Sequence, residues 1–298
     1  MITEDRITPA GPYSLARSAA TGSCPTRRLA RGVLVLALDA GGGPAIAAVH
    51  QAGDGTLEVR VDGPDPESAM ALLRRSLAVD VDPTPFYEMV RDDPVLGPAS
   101  RRLRGMRPLP LMSAAHALLR GVAGQLVRQA DARRIEFAAV RAVGRPHGGL
   151  HLPLRTDELR RVTVPVLQAA GLAQRRAEAL VRAVRAVTPD GLADLPTHAV
   201  VARLCAQPGI GPWTAGVVCS LGLGRLDHGI VGDLGLVRHM SHAEGRVVEA
   251  HETAALLERY APYQALAAMY LIAGSPAARI HAPPAAVARE AARGRRRA

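Results

Sequence analysis

The chain has 298 residues, 48% hydrophobic and 21% charged, with a net charge of +10, which fits a soluble globular protein of one large or two ordinary domains. Its longest apolar run, Val33 to Leu38, has strand length, and the N-terminus lacks a basic segment followed by an apolar stretch, so neither a membrane span nor export is expected. Three widely spaced cysteines (Cys24, Cys205, Cys219) argue against a disulfide framework and against a four-cysteine iron–sulfur cluster, and the expected location is cytoplasmic.

Residues 13–62 contain short β-rich runs. Val33 to Leu38 and Ala45 to His50 flank Asp39-Ala-Gly-Gly-Gly-Pro44, a hairpin loop, and Leu57 to Val61 reads as a third strand. The glycine triplet lacks the Gly-Lys-Ser/Thr of a phosphate cradle. Pro66 opens a helix over Glu67 to Ala78, with Met70, Leu73 and Leu77 at helical spacing. Asp80-Val-Asp-Pro-Thr-Pro85 punctuates the chain. Ser113 caps a helix expected to run to Gln129, with Leu118, Val122 and Leu126 along one face. Further helices are expected near 156–169, 173–187, 197–206, 212–222, 233–242, 249–260 and 262–273. The expected fold is α+β: an N-terminal small antiparallel β-sheet with helices over 1–100, a mainly α-helical region over 101–288, and a disordered basic tail over 289–298 that carries five arginines and serves as a loose DNA tether.

Charge divides unevenly along this order. Residues 1–100 hold 9 arginines against 13 acids, and residues 101–298 hold 28 against 14, a net of +14. The second half therefore reads as facing a polyanion, although compositional drift in an arginine-rich chain would give the same asymmetry. All 37 basic residues are arginine. No lysine amine exists to form a Schiff base.

Two segments carry chemistry. In Leu204-Cys-Ala-Gln-Pro-Gly-Ile-Gly-Pro-Trp-Thr-Ala215 an apolar helix runs into Pro208-Gly209-Ile210-Gly211, and Pro212 opens a second helix. The glycines allow a tight reversal with positive φ, Ile210 plugs the gap between the helices, and bare backbone N–H groups form an anion site suited to a DNA phosphate. An ordinary two-helix corner is the bland alternative. In Gly229-Ile-Val-Gly-Asp-Leu-Gly-Leu-Val-Arg238, Asp233 stands at the start of a helix, where local sequence alone favours an N-cap, a role compatible with a chemical one.

With these segments the chain resembles the helix-hairpin-helix (HhH-GPD) superfamily of DNA glycosylases, in its DNA-3-methyladenine glycosylase II branch. Gly124-Gln-Leu-Val127, Ala170-Gly-Leu-Ala-Gln-Arg-Arg-Ala-Glu178, Tyr260-Ala-Pro-Tyr263 and the β-rich start ending in Leu77-Ala-Val-Asp-Val-Asp82 extend the resemblance over most of the chain. It implies a monomeric enzyme, nucleoid-associated, that flips a damaged base, an alkylated purine, out of double-stranded DNA and hydrolyses its glycosidic bond. By resemblance Asp233 is the catalytic carboxylate, Trp213, Val217 and Ile272 line the base pocket, and Leu126 is the wedge with Gln125 beside it. Pro208, Gly209, Ile210, Gly211 and Thr214 contact DNA. A structural Na+ or K+ ion is implied on the backbone carbonyls of Cys205, Gln207 and Ile210. A core leucine and a packing tryptophan are the plain alternatives for Leu126 and Trp213. Strand-nicking relatives carry lysine where Trp213 stands, so no lyase step is expected. The chain departs from the pattern at Arg128, where serine is usual, at Gln264 and Ala265, where arginine and serine are usual, and in its sparse pocket aromatics. A non-catalytic DNA-binding or damage-sensing protein on the same fold is the alternative reading.

Overall fold

A computed structural model describes residues 1–20 and 24–274. The tail expected to tether DNA lies outside the described residues. The chain forms two compact units that interleave in sequence: Met1–Pro83 with Gly105–Arg225, and Thr84–Arg104 with the chain from Leu226 onward. A single break near residue 100 is not what divides them. Side chains of the first unit explain why its sheet and its later helices belong together. Asp39 at the end of a strand is clasped by Arg145 (Nη2 to Oδ2, 2.6 Å) and by both faces of the Arg155 fork (Nε to Oδ2, 2.5 Å; Nη2 to Oδ1, 2.6 Å). Such bidentate arginine–carboxylate pairing is the geometrically specific kind.

The first unit opens on a five-stranded antiparallel sheet: β1 (Ile2–Ile7), β2 (Arg27–Ala30), β3 (Val33–Ala40), β4 (Gly43–Gln51) and β5 (Leu57–Asp62), in the order β1-β5-β4-β3-β2. Three of these strands are legible in the sequence. Alternation marks β5, where Leu57, Val59 and Val61 are buried and Glu58, Arg60 and Asp62 are exposed. β1 escapes that reading because all but its last residue are exposed. Ala40 pairs with Gly43, so the hairpin turn is only Gly41-Gly42, tighter than the expected loop.

The helix Pro66–Leu77 packs on this sheet. Asp65 caps it by accepting from the Ser68 N–H (3.1 Å), and Ala69, Leu73 and Leu77 are fully buried. Burying each leucine stabilises by about 1.5–3 kcal/mol. Below it, Arg107 is 1% exposed. Its guanidinium donates to the carbonyls of Ala78 (2.7 Å), Pro12 (2.9 Å) and Ala10, and stacks 4.9 Å from the Tyr13 ring. It fastens the N-terminal segment to the helix's C-terminal carbonyls.

The rest of the first unit is mainly helical, as expected, apart from a two-stranded ribbon that pairs Pro146–His147 with Leu150–His151, but two expected helices are broken. Ala114–Gly124 is followed by a separate helix Gln129–Val143, and Thr156–Arg161 by Val164–Ala169. The first break matters most: Leu126 has φ +53°, a left-handed conformation that no helix continues through. Leu118 and Val122 are buried as expected, whereas Leu126 sits in the connecting loop. Helices Gln174–Val187, Thr197–Cys205 and Pro212–Val217 follow, the last extended by a π-turn over Val218–Gly222.

The second unit holds helices Thr84–Met89, Leu96–Arg102, Leu234–Glu244, Thr253–Glu258 and Gln264–Gly274. Phe86, Tyr87, Tyr263 and Tyr270 form its aromatic centre, with ring centroids 5.4–6.1 Å apart. The Tyr87 and Tyr270 hydroxyls hydrogen-bond at 2.9 Å, and the Tyr260 hydroxyl donates to Asp93 at 2.8 Å. Among the described residues no helix is long and apolar enough to cross a membrane.

Two buried ionisable groups link this packing to pH. Glu136, 2% exposed, accepts from Arg120 (Nη2, 2.7 Å) and from His116 Nε2 (2.9 Å), while the Leu154 N–H donates to His116 Nδ1 (3.3 Å). That last bond makes the neutral Nε2–H tautomer the one present. Burial alone would raise the Glu136 carboxyl; the Arg120 charge and then His116 outweigh it and hold it at about 2. Burial depresses His116, with Glu136 only partly offsetting it. Both shifts have the same sign for stability. The unfolded chain takes up protons at 6.5 and then at 4.5 where the folded one does not, so stability falls as pH drops through that range. Unfolding free energy measured by urea titration at pH 7, 5 and 3 is expected to decline steadily, and Glu136→Gln to flatten the lower part of the decline. An equal slope in the two proteins below pH 4.5 would refute the assignment.

Candidate functional site

In the first unit the hairpin forms as a turn between Thr197–Cys205 and Pro212–Val217. Only one of its glycines needs the left-handed region: Gly209 has φ +86°, while Gly211, with φ −107°, is the extended N-cap of the second helix. The sequence pattern allows a reversal with positive φ without saying which glycine takes it. Gly209 is constrained from two sides, since a Cβ there would also lie 2.7 Å from the Ala179 Cβ. A Cβ on Gly211 would meet nothing within 4 Å, so that residue keeps open space in front of the backbone. The Ile210 N–H is taken by the Gln207 carbonyl (3.0 Å), and Ile210 is 4% exposed in the core with Leu204 and Ala215. Pro208 and Gly209 are exposed and Gly211 half-exposed. Among the described residues the Gly209 and Gly211 amides have no hydrogen-bond partner, which leaves two donors without a protein acceptor on the turn that leads into a helix.

The helix Ala114–Gly124 lies directly against this turn. A Cβ on Gly121 would fall 2.9 Å from the Thr214 methyl, and one on Gly124 would fall 2.8 Å from Cη2 of Trp213. The two glycines therefore present bare backbone to consecutive residues of the hairpin's second helix, a contact that the sequence reading missed and that the Gly-x-x-Gly spacing signals. Gln125 ends that helix and its amide donates to the Gly209 carbonyl (3.0 Å) and to Thr214 Oγ1 (3.0 Å). Leu126 follows at 60% exposure. Arg128 is the N-cap of the next helix and makes no side-chain cap bond; serine, usual at this place in the resembled family, would make one. Trp213 is half-buried, and Val217, one turn on, is 6% exposed.

In the second unit the approach to Asp233 is built from backbone. A Cβ on Gly229 would lie 2.6 Å from Leu257, and Gly232 takes φ +84°. The Gly232 N–H donates to Thr253 Oγ1 (2.7 Å), and Thr253, fully buried, donates on to the Ala250 carbonyl (2.8 Å). Asp233 caps Leu234–Glu244, accepting from the Gly235 N–H at 2.7 Å. A Cβ on Gly235 would lie 2.9 Å from Asp233 Oδ1 and 3.1 Å from Ile272, so a side chain there would crowd the carboxylate in the position it takes. Asp233 and Ile272 are both half-buried. Gln264 starts the last helix and is 9% exposed. Among the described residues no three His, Cys, Asp or Glu side chains gather to hold a metal.

Comparison with known proteins gives the fold its relatives. No protein-family model matches the chain. Two curated proteins from strains of Mycobacterium tuberculosis, each named probable bifunctional transcriptional activator/DNA repair enzyme AlkA, are 32% identical over 176 residues, 57% of this chain. The chain spans only 35% of the length of those curated relatives. Among solved structures, a 3-methyladenine DNA glycosylase from Archaeoglobus fulgidus superposes with a TM-score of 0.79 at 20% identity, covering 90% of this chain and 97% of that one. An 8-oxoguanine glycosylase/lyase from Clostridium acetobutylicum gives 0.75 at 16% identity, covering 92% and 99%. A Schizosaccharomyces pombe 3-methyladenine DNA glycosylase (Mag1), solved with abasic DNA, gives 0.53 at 21% identity over 62% and 93%.

The Gly124 contact is testable because Trp213 is the only tryptophan. Gly124→Ala should displace the indole ring, shift its fluorescence emission and cost about 1–3 kcal/mol, the usual range for overpacking. Unchanged emission and an unchanged urea midpoint would show that the contact is not there.

Proposed function

We propose that this chain, whose fold is that of the helix-hairpin-helix DNA glycosylases, excises damaged bases, alkylated purines foremost, by hydrolysis without cutting the strand. The observation that carries the reading lies within the first unit: two unpartnered glycine amides on an exposed turn, beside an exposed leucine held in a left-handed loop. Amides of this kind receive a phosphate without reading sequence, and an apolar side chain standing out from the surface fills the gap a flipped nucleotide leaves. The names of the curated relatives and of the Archaeoglobus structure point the same way.

Extruding a nucleotide costs a few kcal/mol, which phosphate contacts at the hairpin and insertion of Leu126 offset. The Trp213 face stacks on the extruded base, and stacking is strongest for an electron-poor, alkylated purine. As the glycosidic bond lengthens, positive charge builds on the sugar. The Asp233 carboxylate stabilises that charge and orients the attacking water. Ring alkylation makes the base a good leaving group, so this modest assistance suffices. The hard oxygens of the Cys205, Gln207 and Ile210 carbonyls suit Na+ or K+. Gln207 O accepts one hydrogen bond, from Ile210, and keeps its second lone pair for such an ion. The ion would brace the turn and add positive charge beside the phosphate. The protein acts as a monomer on chromosomal DNA.

Release of free base from methylated duplex DNA is the direct test. Wild type should release 3-methyladenine, and Asp233→Asn should slow release by about 100-fold or more, the scale of a lost electrostatic contact in a dry site. If neither protein releases base while both bind DNA tightly, the chain is a DNA-binding or damage-sensing protein and the enzymatic reading fails.

The absence of a strand-cutting step has its own check. Without any lysine, borohydride should trap no covalent adduct between a side chain and damaged DNA. A trapped adduct at an internal residue would overturn the hydrolytic assignment.

A further inference from the structure

We propose that Gln125 is a positioning residue that locks the loop carrying Leu126 to the hairpin, so that strand grip and base extrusion act as one rigid device. The proposal rests on the glycosylase reading above and extends it. The resemblance places Gln125 against DNA, yet in this structure both hydrogens of its amide group are directed into the protein, to the Gly209 carbonyl and to Thr214 Oγ1, each at 3.0 Å. These acceptors lie 84 and 89 residues away in sequence. Gly209 is the exposed left-handed residue of the turn, and Thr214 is 1% exposed with its methyl seated on Gly121. One end of the strut is thus immobile, and the other end is the residue immediately before Leu126.

Leu126 needs such a brace. Its φ of +53° is disfavoured for a side chain of this kind, and at 60% exposure little of its own surface is packed to hold it there. A loop free to relax would let the leucine fall back against the protein, and each extrusion would have to re-form the loop first. With Gln125 bonded at both acceptors the conformation is set before DNA arrives. The turn that would take the phosphate and the leucine that would enter the stack are then held in one fixed relation by a single side chain.

The test separates insertion of the leucine from grip on the strand. The full chain is mixed with a duplex holding a tetrahydrofuran abasic analogue and a 2-aminopurine on the opposite strand, whose fluorescence changes when Leu126 enters the stack. This readout needs no excision. Thr214→Val, which keeps shape and loses the hydroxyl, should slow the fluorescence change about five-fold, the size of one net hydrogen bond, and Gln125→Met, which keeps length and loses both donors, should slow it at least as much. Affinity for undamaged duplex should fall by less than the insertion rate does, because the Gly209 and Gly211 amides are untouched. The double variant should be no worse than the poorer single one, since both cut the same strut. Thr214→Ser should recover the wild-type rate. Additive losses, or a silent Thr214→Val beside a defective Gln125→Met, would show that Gln125 acts on DNA directly and overturn the proposal alone. If wild type and Leu126→Ala give the same trace, the base-flipping reading itself fails, and the strut with it. Urea midpoints of all variants distinguish loss of folding from loss of insertion.

Discussion

Close approach of two helix backbones is the constraint on which the first unit's candidate site depends. Gly121 and Gly124 lie one turn apart on Ala114–Gly124 and face Thr214 and Trp213 without a side chain between. Farther along the same seam a Cβ on Gly222 would meet Ala117 at 2.9 Å and the Ala114 backbone at 3.0 Å. Three glycines thus set the spacing of Ala114–Gly124 and the hairpin's second helix at several points over its length. That spacing brings the Gln125 amide within reach of Gly209 and Thr214, and it ends the helix where Leu126 must turn outward. Interiors packed to this density do not deform smoothly, so a contact at the turn is carried into the loop instead of being absorbed.

Arginine serves two purposes in this chain, and the charge asymmetry alone cannot tell them apart. Arg107 and Arg27 are buried and are spent on carbonyls of the protein itself, Ala78 and Pro12 for the first and Leu109 for the second. Arg120 neutralises Glu136, and Arg145 and Arg155 clasp Asp39. Several of the 28 arginines beyond residue 100 are therefore engaged in building the fold, and Arg107 is wholly enclosed by it. The planar, permanently charged fork suits this use, since it satisfies several acceptors at once and does not neutralise on burial as a lysine would.

Where the sequence spoke clearly, it did so through periodicity and glycine. The alternation in β3–β5, the cap and spacing of Pro66–Leu77, and the Pro-Gly-Ile-Gly turn are local patterns, and the α+β class followed from them. Local pattern failed where tertiary bonds decide. Leu118, Val122 and Leu126 sit at helical spacing, yet the chain leaves the helix at Gln125 because a side chain bonds across to a turn more than eighty residues away. β1 is polar over Thr3–Arg6 and is held by its ladder to β5, from Ile2 opposite Asp62 to Ile7 opposite Leu57, with Ile7 alone of its side chains buried in the core. The interleaving of the units was hidden for a like reason: Asp39 reads as a turn residue until Arg145 and Arg155 close on it. At Asp233 the cap role is legible from local pattern, but the Gly232–Thr253 bond that holds the approach to it is not.

The way aromatic residues are allotted bears on which bases such an enzyme would take. Of eight aromatic side chains, Phe86, Tyr87, Tyr260, Tyr263 and Tyr270 are committed to the packing and hydrogen bonding of the second unit. Trp213 is left as the one large ring among the residues assigned to the base, with Val217 one turn along its helix and Ile272 on the last helix. Aliphatic side chains exclude water and grip by shape, but they do not distinguish a charged ring from a neutral one as a π-face does. On the proposed reading, selection then shifts from binding to chemistry. A single stacking face gives a modest preference, and the reaction itself supplies the rest, because only a base whose glycosidic bond is already weakened by alkylation departs with the help of one carboxylate. On that reading, discrimination would rest on how readily the bond breaks, and adducts of varied size would be accepted as long as they share that lability.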